Sequence, residues 1–379
     1  MNKPLIITIA VVIFLLALGS WAYLFFFGAP QNPDELFTDL GINLATQTDS
    51  PTIREIDQGA GDLVITGSSL QQLTFRPVAG FVSDGATRIR YAEQGTGHIY
   101  EIDLSDSSEV RISNTTVPQV QDATFAADGS AVALQTYNRA ARSVVGTIVD
   151  GGLTTQNLPP RAQNLHFLST STITYTLSNQ DGTTGYRYNL DSESQTIEYV
   201  VPFASVITHH TPAQTYVSNR HAPELEGALW AVDDRSFRQV SANAFGFVTE
   251  LGNAWYSLAF TENDTYQSRA VNLDTGAVAQ LPVSFIPEKC DWGSNTLWCA
   301  APFTPIAHTY LKEWYQGTVR ANDVLWAINP ATETAELLVN PVDEINRQLD
   351  ITNLTAVTPN QLLFVNRHDN TLWLYDGSL

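Results

Sequence analysis

The chain has 379 residues, with 39 acidic and 19 basic side chains, a formal charge of −20 and only 15% charged residues. Its only lysines are Lys3, Lys289 and Lys312, so it has no basic field to release counterions from a phosphate backbone, and nucleic-acid binding is disfavoured. A hydrophobic content of 44% with 10% aromatics excludes a disordered chain, because that much apolar surface offsets the entropy of ordering the backbone.

Residues 5–27 read LIITIAVVIFLLALGSWAYLFFF, 23 residues without a charge. At 1.5 Å per residue they make roughly 34 Å of helix, enough to cross a hydrocarbon core of about 30 Å. Lys3 and the α-amino group precede the run and Asp34 and Glu35 follow it, so the positive-inside rule puts the N-terminus in the cytoplasm and the rest of the chain outside. A cleaved signal peptide would have a shorter apolar core ending at a small-residue site. Ala17 and Gly19 offer such a site only weakly, since the run continues through Trp21 and three phenylalanines. The expectation is an uncleaved single-pass anchor in the cell membrane over residues 1–27, then an extracytoplasmic stalk over 28–60, then a folded domain over 61–379. No cysteine follows the segment closely, which excludes a lipoprotein.

The rest of the chain is repetitive. A short β run ending in an Asp or Asn turn recurs seven times, with turn residues Asp103, Asp150, Asp191, Asp233, Asp274, Asn329 and Asp376 at a mean interval of 45.5 residues. That interval is the length of a propeller blade. Upstream of each member lies a hairpin, also seven times: FVSDGATRIRYA, TFAADGSAVALQTY, FLSTSTITYTL, ITHHTPAQTYV, VTELGNAWYSLAF, CDWGSNTLWCA and VTPNQLLFV. Alternating apolar and polar positions mark each strand, and Gly, Asp, Asn or Pro marks each turn. The two counts agree on an all-β, seven-bladed β-propeller of four-stranded antiparallel blades, with an eighth possible only if residues 52–66 hide a degenerate blade. The last unit stops three residues past Asp376 and lacks its outer strand. LQQLT, residues 70–74, is the spare strand predicted to cover that edge by pairing around residues 372–375.

In the sixth hairpin a two-residue loop of Ser294 and Asn295 pairs Gly293 with Thr296, Trp292 with Leu297 and Cys290 with Cys299. The cysteines then form a close, non-hydrogen-bonded antiparallel pair, which suits a disulfide and agrees with export. The ten-residue ring would stabilise the fold by roughly 2.7 kcal/mol in the chain-entropy model.

At FVSDGATRIRYAEQGTGHIYEIDL and TFAADGSAVALQTY the sequence resembles the WD40-like repeat of TolB-type β-propellers, in which a Ser-Pro-Asp-Gly turn joins the first two strands of a blade. Residues 82–85 and 126–129 keep the Asp-Gly but lack the proline, and later blades lose the motif. The resemblance implies the fold and says little of function, because propellers host binders, scaffolds and enzymes alike. More narrowly, EWYQG at residues 313–317, VLWAIN and LLFVNRHDNTLW resemble uncharacterised membrane-anchored bacterial propeller proteins, from which no catalytic residue carries over.

Two links between second and third strands are long: residues 219–228 in the fourth unit and 302–323 in the sixth. Such links emerge on one face of a propeller, so both insertions are predicted to stand on the same rim. His221, Glu224, His308, Tyr310, Lys312, Glu313, Trp314, Tyr315 and Arg320 form the candidate interaction face, because amphipathic aromatics and arginine are the usual anchors of interfaces. The alternative is that Trp314 and Tyr315 fold back onto the ring. His209 and His210 are adjacent on a strand, point to opposite faces and cannot share a metal. His221 with Glu224 and Glu226 falls short of a metal set, and the turn carboxylates Asp103, Asp106, Glu109, Asp191 and Glu193 lack calcium-loop spacing. No metal or cofactor is expected. Sequons stand at Asn114, Asn263 and Asn353.

No G-x-S-x-G elbow is present, and Asp291, Gly293 and Trp298 only faintly resemble the Asp-box turn of sialidase propellers. The resulting expectation is a non-catalytic protein-binding or scaffolding module whose partner is another protein or envelope complex outside the membrane. The alternatives are an envelope-assembly accessory resembling TolB, and a carbohydrate-active enzyme whose carboxylates assemble from separate blades.

Overall fold

Alternation of buried and exposed side chains every second residue commits the chain to sheets, and seven of them stand among the described residues. A computed structural model of the protein describes residues 68–378 apart from Ala86, Arg139, Asp150, Asp234, Arg235 and Ser294. The membrane run, the stalk, residues 61–67 and the turn positions Asp150 and Ser294 lie outside the described residues. Contacts divide the chain into Met1–Gly59 and Ala60–Leu379, and every described residue belongs to the second unit.

The blades occupy residues 78–113, 120–157, 163–201, 206–239, 244–280, 290–339 and 351–376, and all their strand pairs are antiparallel. Each of the seven hairpins anticipated above forms the first two strands of one blade. The last blade has the order Leu70–Gln72, Thr371–Asp376, Gln361–Asn366, Ile351–Thr358, with Leu70 opposite Tyr375 and Gln72 opposite Trp373. The strand preceding the first hairpin thus supplies the outer strand that the seventh repeat lacks. One departure from four strands occurs. Glu226–Gly227, within the fourth-blade insertion, pairs with Ala244 and Phe245 and adds a fifth strand to the inner edge of blade five.

The core lies between the blades. Blades seven and one share Leu363, Val365, Leu372 and Leu374 packed on Ile89, Tyr91, Tyr100 and Ile102, and Leu73 of the closing segment is buried among them. Blades six and seven meet through Leu325, Val339, Ile351, Leu362 and Phe364. Blades one and two approach so closely that a Cβ on Gly80 would stand 1.9 Å from the Ala123 carbonyl oxygen, so only glycine fits there. The Asp-Gly turn of blade two needs glycine for a different reason, because Gly129 has φ +70°. Cys290 and Cys299 are paired in register and joined as a disulfide, with Gly293 N–H donating to the Thr296 carbonyl at 2.9 Å as the hairpin requires.

Removing residues 70–74 would expose the backbone of Thr371–Asp376 and strip Leu70 and Leu73 from two interblade cores. The deletion protein is expected to lose its soluble monomer on size-exclusion chromatography. A monomer with unchanged melting temperature would show that the ring closes without this strand.

Candidate functional site

Links between second and third strands, and links from one blade to the next, emerge on one face of the ring. The two insertions therefore meet there. The sixth-blade insertion folds a short helix, Tyr310–Tyr315, whose Leu311 and Trp314, three residues apart on one face, are buried against Val248, Ala259, Tyr266, Ile286 and Ile306. From the other insertion Glu224 approaches Lys312 at 3.5 Å, and His221 stacks on Tyr315 with ring centroids 4.8 Å apart.

Trp314 is not on the surface. It is 6% exposed, its indole N–H donates to Asp350 at 3.0 Å, and the Arg367 guanidinium lies 4.5 Å over its ring. Tyr310 is half-buried on the same cluster, and Glu313 is half-buried with its carbonyl accepting from Thr318 N–H and Oγ1. Arg320 is exposed and donates to His368, and His308 is exposed. Among the expected face residues, His221, Lys312 and Tyr315 line a common hollow, and Glu224 reaches it through Lys312.

That hollow has a volume of about 270 Å³ and is completed by Ile207, Arg220, Pro223, Glu288 and Gln316. A second hollow of about 310 Å³ adjoins it and shares Arg220 and His221. Neither ring nitrogen of His221 has a hydrogen-bond partner, although the Gly246 backbone lies close by without reaching hydrogen-bond geometry. Burial pushes the His221 imidazole below its ordinary value, so it is neutral at pH 7.

Glu288 and Tyr315 form the chemical centre of the wall. Burial pushes the Glu288 carboxyl up, against the opposing pull of the Tyr315 hydrogen bond and the Arg220 charge. Burial, then the Glu288 charge and hydrogen bond, hold the Tyr315 phenol far above its usual range. Tyr315 is 37% exposed as a whole residue, and its phenol feels the Glu288 carboxyl directly. Behind them Glu250 is pushed up to about 8, by burial first and then by the negative charges of Asp291 and Glu288. Asp291 is itself raised by burial, and its Oδ2 accepts from Ala356 N–H of blade seven at 2.8 Å.

Glu288 is positioned by its neighbour. Lys289 is 1% exposed, and its ammonium donates to Asp323 at 2.6 Å and Asp350 at 2.7 Å. Burial is the largest influence on both carboxyls: it raises Asp323, whereas for Asp350 it is outweighed by the Lys289 charge, the Lys289 hydrogen bond and the Trp314 indole. Sequence reasoning missed Arg220, Glu288, Lys289, Asp323 and Asp350. Two signals pointed to them: Lys289 is one of three lysines, and Asp350 stands between apolar Leu349 and Ile351. Elsewhere Asp103 and Asp106 cap their own turns, accepting from Ser105 and Ser108 N–H. His209 contacts Ser218 of its own blade and His210 contacts Thr174 of blade three, so the pair diverges as expected. Among the described residues no group of three or more His, Cys, Asp or Glu is arranged to hold a metal.

No family model and no curated protein matches the sequence. Solved structures match the fold. The β-propeller domain of the Trilobed protease from Pyrococcus furiosus is similar at TM-score 0.56 and 9% identity, covering 80% of this chain and 96% of that one. Oligogalacturonate lyase from Vibrio parahaemolyticus is similar at TM-score 0.53 and 10% identity, covering 81% and 93%. TolB from Acinetobacter baumannii is similar at TM-score 0.45 and 11% identity, covering 67% and 63%. Acylaminoacyl peptidases and a prolyl endopeptidase also match, and this chain spans about half the length of each. At these identities the likeness shows the propeller fold alone. The narrower likeness to membrane-anchored bacterial propellers finds no counterpart among these neighbours.

The expectation of a non-catalytic binding or scaffolding module is corrected to this extent: these neighbours are mostly enzymes or parts of enzymes, and they fit the carbohydrate-active alternative about as well. It rested on the lack of a contiguous catalytic motif. A ring gathers its polar groups from loops of separate blades, as Arg220, Glu288 and Tyr315 illustrate, and such a set leaves no motif in the sequence.

Replacing Lys289 by Met would leave two buried carboxylates without their cation. The variant is expected to lose about 3–5 kcal/mol in urea unfolding, and adding Asp350→Asn should restore part of it. An unchanged unfolding midpoint for Lys289→Met would refute the structural role assigned to this ion cluster.

Proposed function

We propose that the insertion-bearing face is the acid–base site of an enzyme acting on a carboxylate-bearing oligosaccharide. The observation that carries the reading is the Glu288–Tyr315 pair at the wall of a hollow that Arg220 and Lys312 also line. A carboxyl with a raised pKa is a competent base, and a phenol held protonated is a competent acid. Two cations suit a sugar carboxylate, and the adjoining hollows on either side of His221 suit successive sugar units. Oligogalacturonate lyase, matched over nearly its whole length, supplies the substrate class.

In the proposed elimination Glu288 takes the proton from the carbon bearing the sugar carboxylate, while Arg220 and Lys312 hold that carboxylate. The electron pair becomes a ring C=C bond as the glycosidic C–O bond on the next carbon breaks. The leaving oxygen receives the Tyr315 proton, and Glu288 then returns its proton to the neighbouring Tyr315 oxygen. The two groups reset without an external reagent.

Incubation with uronate and neutral oligosaccharides, read by ultraviolet absorbance of the unsaturated product, tests this. Only uronates should react, with kcat reduced about 10²–10⁴-fold in Tyr315→Phe and Glu288→Gln and KM raised in Arg220→Ala. Absence of both binding and turnover across the uronate panel would sink the proposal.

We further propose that residues 5–27 anchor the chain in the cell membrane with the ring outside, a reading supported by the length and charge flanks of that run. The full chain should stay with membranes after alkaline carbonate washing, and protease added to intact spheroplasts should degrade the ring. Release by carbonate, or complete protection, would overturn it.

A further inference from the structure

We propose that the hollow between blades one and two, on the face that bears the insertions, binds an uncharged sugar unit through glutamine amides and the ring of Tyr137. The hollow has a volume of about 510 Å³ and is lined by Gln94, Gly95, Gln119, Val120, Gln121 and Tyr137. Gln94 and Gly95 belong to the link between the second and third strands of blade one, Gln119 to the link into blade two, and Tyr137 to the end of that blade's second strand, so the site opens on the insertion-bearing face. It shares no residue with the hollows around His221. It also stands independently of the elimination proposed above, because none of its groups takes part in proton transfer.

Among the described residues, none of the six that line the hollow is charged. Gln119 and Gln121 are exposed, and Gln94 Oε1 accepts from Asn370 Nδ2 of blade seven at 3.1 Å, which orients its amide. An amide presents donors and an acceptor on one planar group, so it can meet two adjacent hydroxyls of a sugar ring. Tyr137 is 47% exposed, and its hydroxyl donates to Gln135 Oε1 at 3.0 Å. Gln135 is itself buried, and its amide nitrogen donates to Ser143 Oγ and the Ala162 carbonyl, both at 3.0 Å. A tyrosine fixed in this way at its hydroxyl offers an apolar ring face to the C–H bonds of a sugar.

Two observations select a sugar over other ligands. The first is charge. Burial raises the Tyr137 phenol, Asp122 raises it further and Arg220 pulls it down, so the charges that act there oppose each other and select neither a cation nor an anion. The second is the backbone, whose donors are spent inside the fold. The Gln94 N–H donates to the Pro77 carbonyl at 2.8 Å, the Gly95 N–H to the Val120 carbonyl at 2.7 Å and the Gln119 N–H to the Gly95 carbonyl at 2.7 Å. A peptide adding as a strand finds no donor on these residues, and recognition is left to the side chains. Uncharged polar groups beside an aromatic ring suit hydroxyls on an apolar frame.

Titration calorimetry on the full chain in sugar-free micelles tests the site with maltohexaose, cellohexaose and mannohexaose, and with the uncharged peptide N-acetyl-Gly-Ser-Gly-amide as control. At least one of the glycans should bind saturably and the peptide should not. Tyr137→Ala should weaken that glycan about tenfold, the loss of one aromatic contact, and Tyr137→Phe should leave it nearly unchanged. Gln121→Glu removes the amide donors at an exposed position and should weaken binding too, and it decides the matter if Tyr137→Ala does not fold. Glu288→Gln and Tyr315→Phe, which disable the proposed elimination, should bind the glycan as the wild type does, so failure of one proposal is separable from failure of the other. No binding of any glycan, tighter binding of the peptide, or unchanged affinity in folded Tyr137→Ala or Gln121→Glu would overturn the proposal.

Discussion

A single buried ammonium organises the insertion-bearing half of this ring. Lys289 immediately precedes blade six, Asp323 begins that blade's third strand, and Asp350 immediately precedes blade seven, so the contacts of 2.6 and 2.7 Å tie two blades together at one point. Trp314 brings the insertion to the same carboxylate, and Arg367 closes the cluster over the indole ring. With Arg367 3.9 Å from Asp350, two cations face two carboxylates, which satisfies the requirement that buried charge be paired. Such a cluster contributes less to net stability than to choosing one arrangement over its competitors. What it selects here is the seat of the Tyr310–Tyr315 helix.

That seat has a chemical consequence. Glu288 is covalently next to Lys289 in a 3-10 turn, Pro287–Lys289, and Tyr315 follows Trp314. The ion cluster therefore holds the inward-facing members of two adjacent pairs and turns their neighbours toward the hollow. Glu288 and Tyr315 are placed by groups that never touch a ligand. Burial keeps Glu288 basic against the pull of Tyr315 and Arg220, and the Glu250 and Asp291 carboxyls behind it, on the inner strands of blades five and six, are raised by burial as well.

The two faces of the ring differ because their loops differ. On one face, long links fold into structure of their own and bury aromatic surface. On the other, tight hairpins leave gaps between blades, as between blades three and four.

Much of the fold was legible in the sequence because its determinants are local. Strand alternation, Asp-Gly turns and a repeat near 45 residues report interactions within one blade, and the Cys290–Cys299 pairing follows from counting outward across a two-residue loop. Closure by Leu70–Gln72 was legible for a related reason, since a missing outer strand and a spare one are both visible as counts. The extra strand at Glu226–Gly227 was not, because its partner lies in the next blade. The site was legible only in part. The sequence alone determined that two insertions share a face and that His221, Lys312 and Tyr315 lie on them. Only the tertiary structure decided that Trp314 turns inward, that Glu288 faces Tyr315 and that Gln94 and Tyr137 border one hollow. Those outcomes depend on burial and on contacts between residues as far apart in the chain as Glu288 and Tyr315 or Lys289 and Asp350, which are 61 residues apart, and no local pattern encodes such distances.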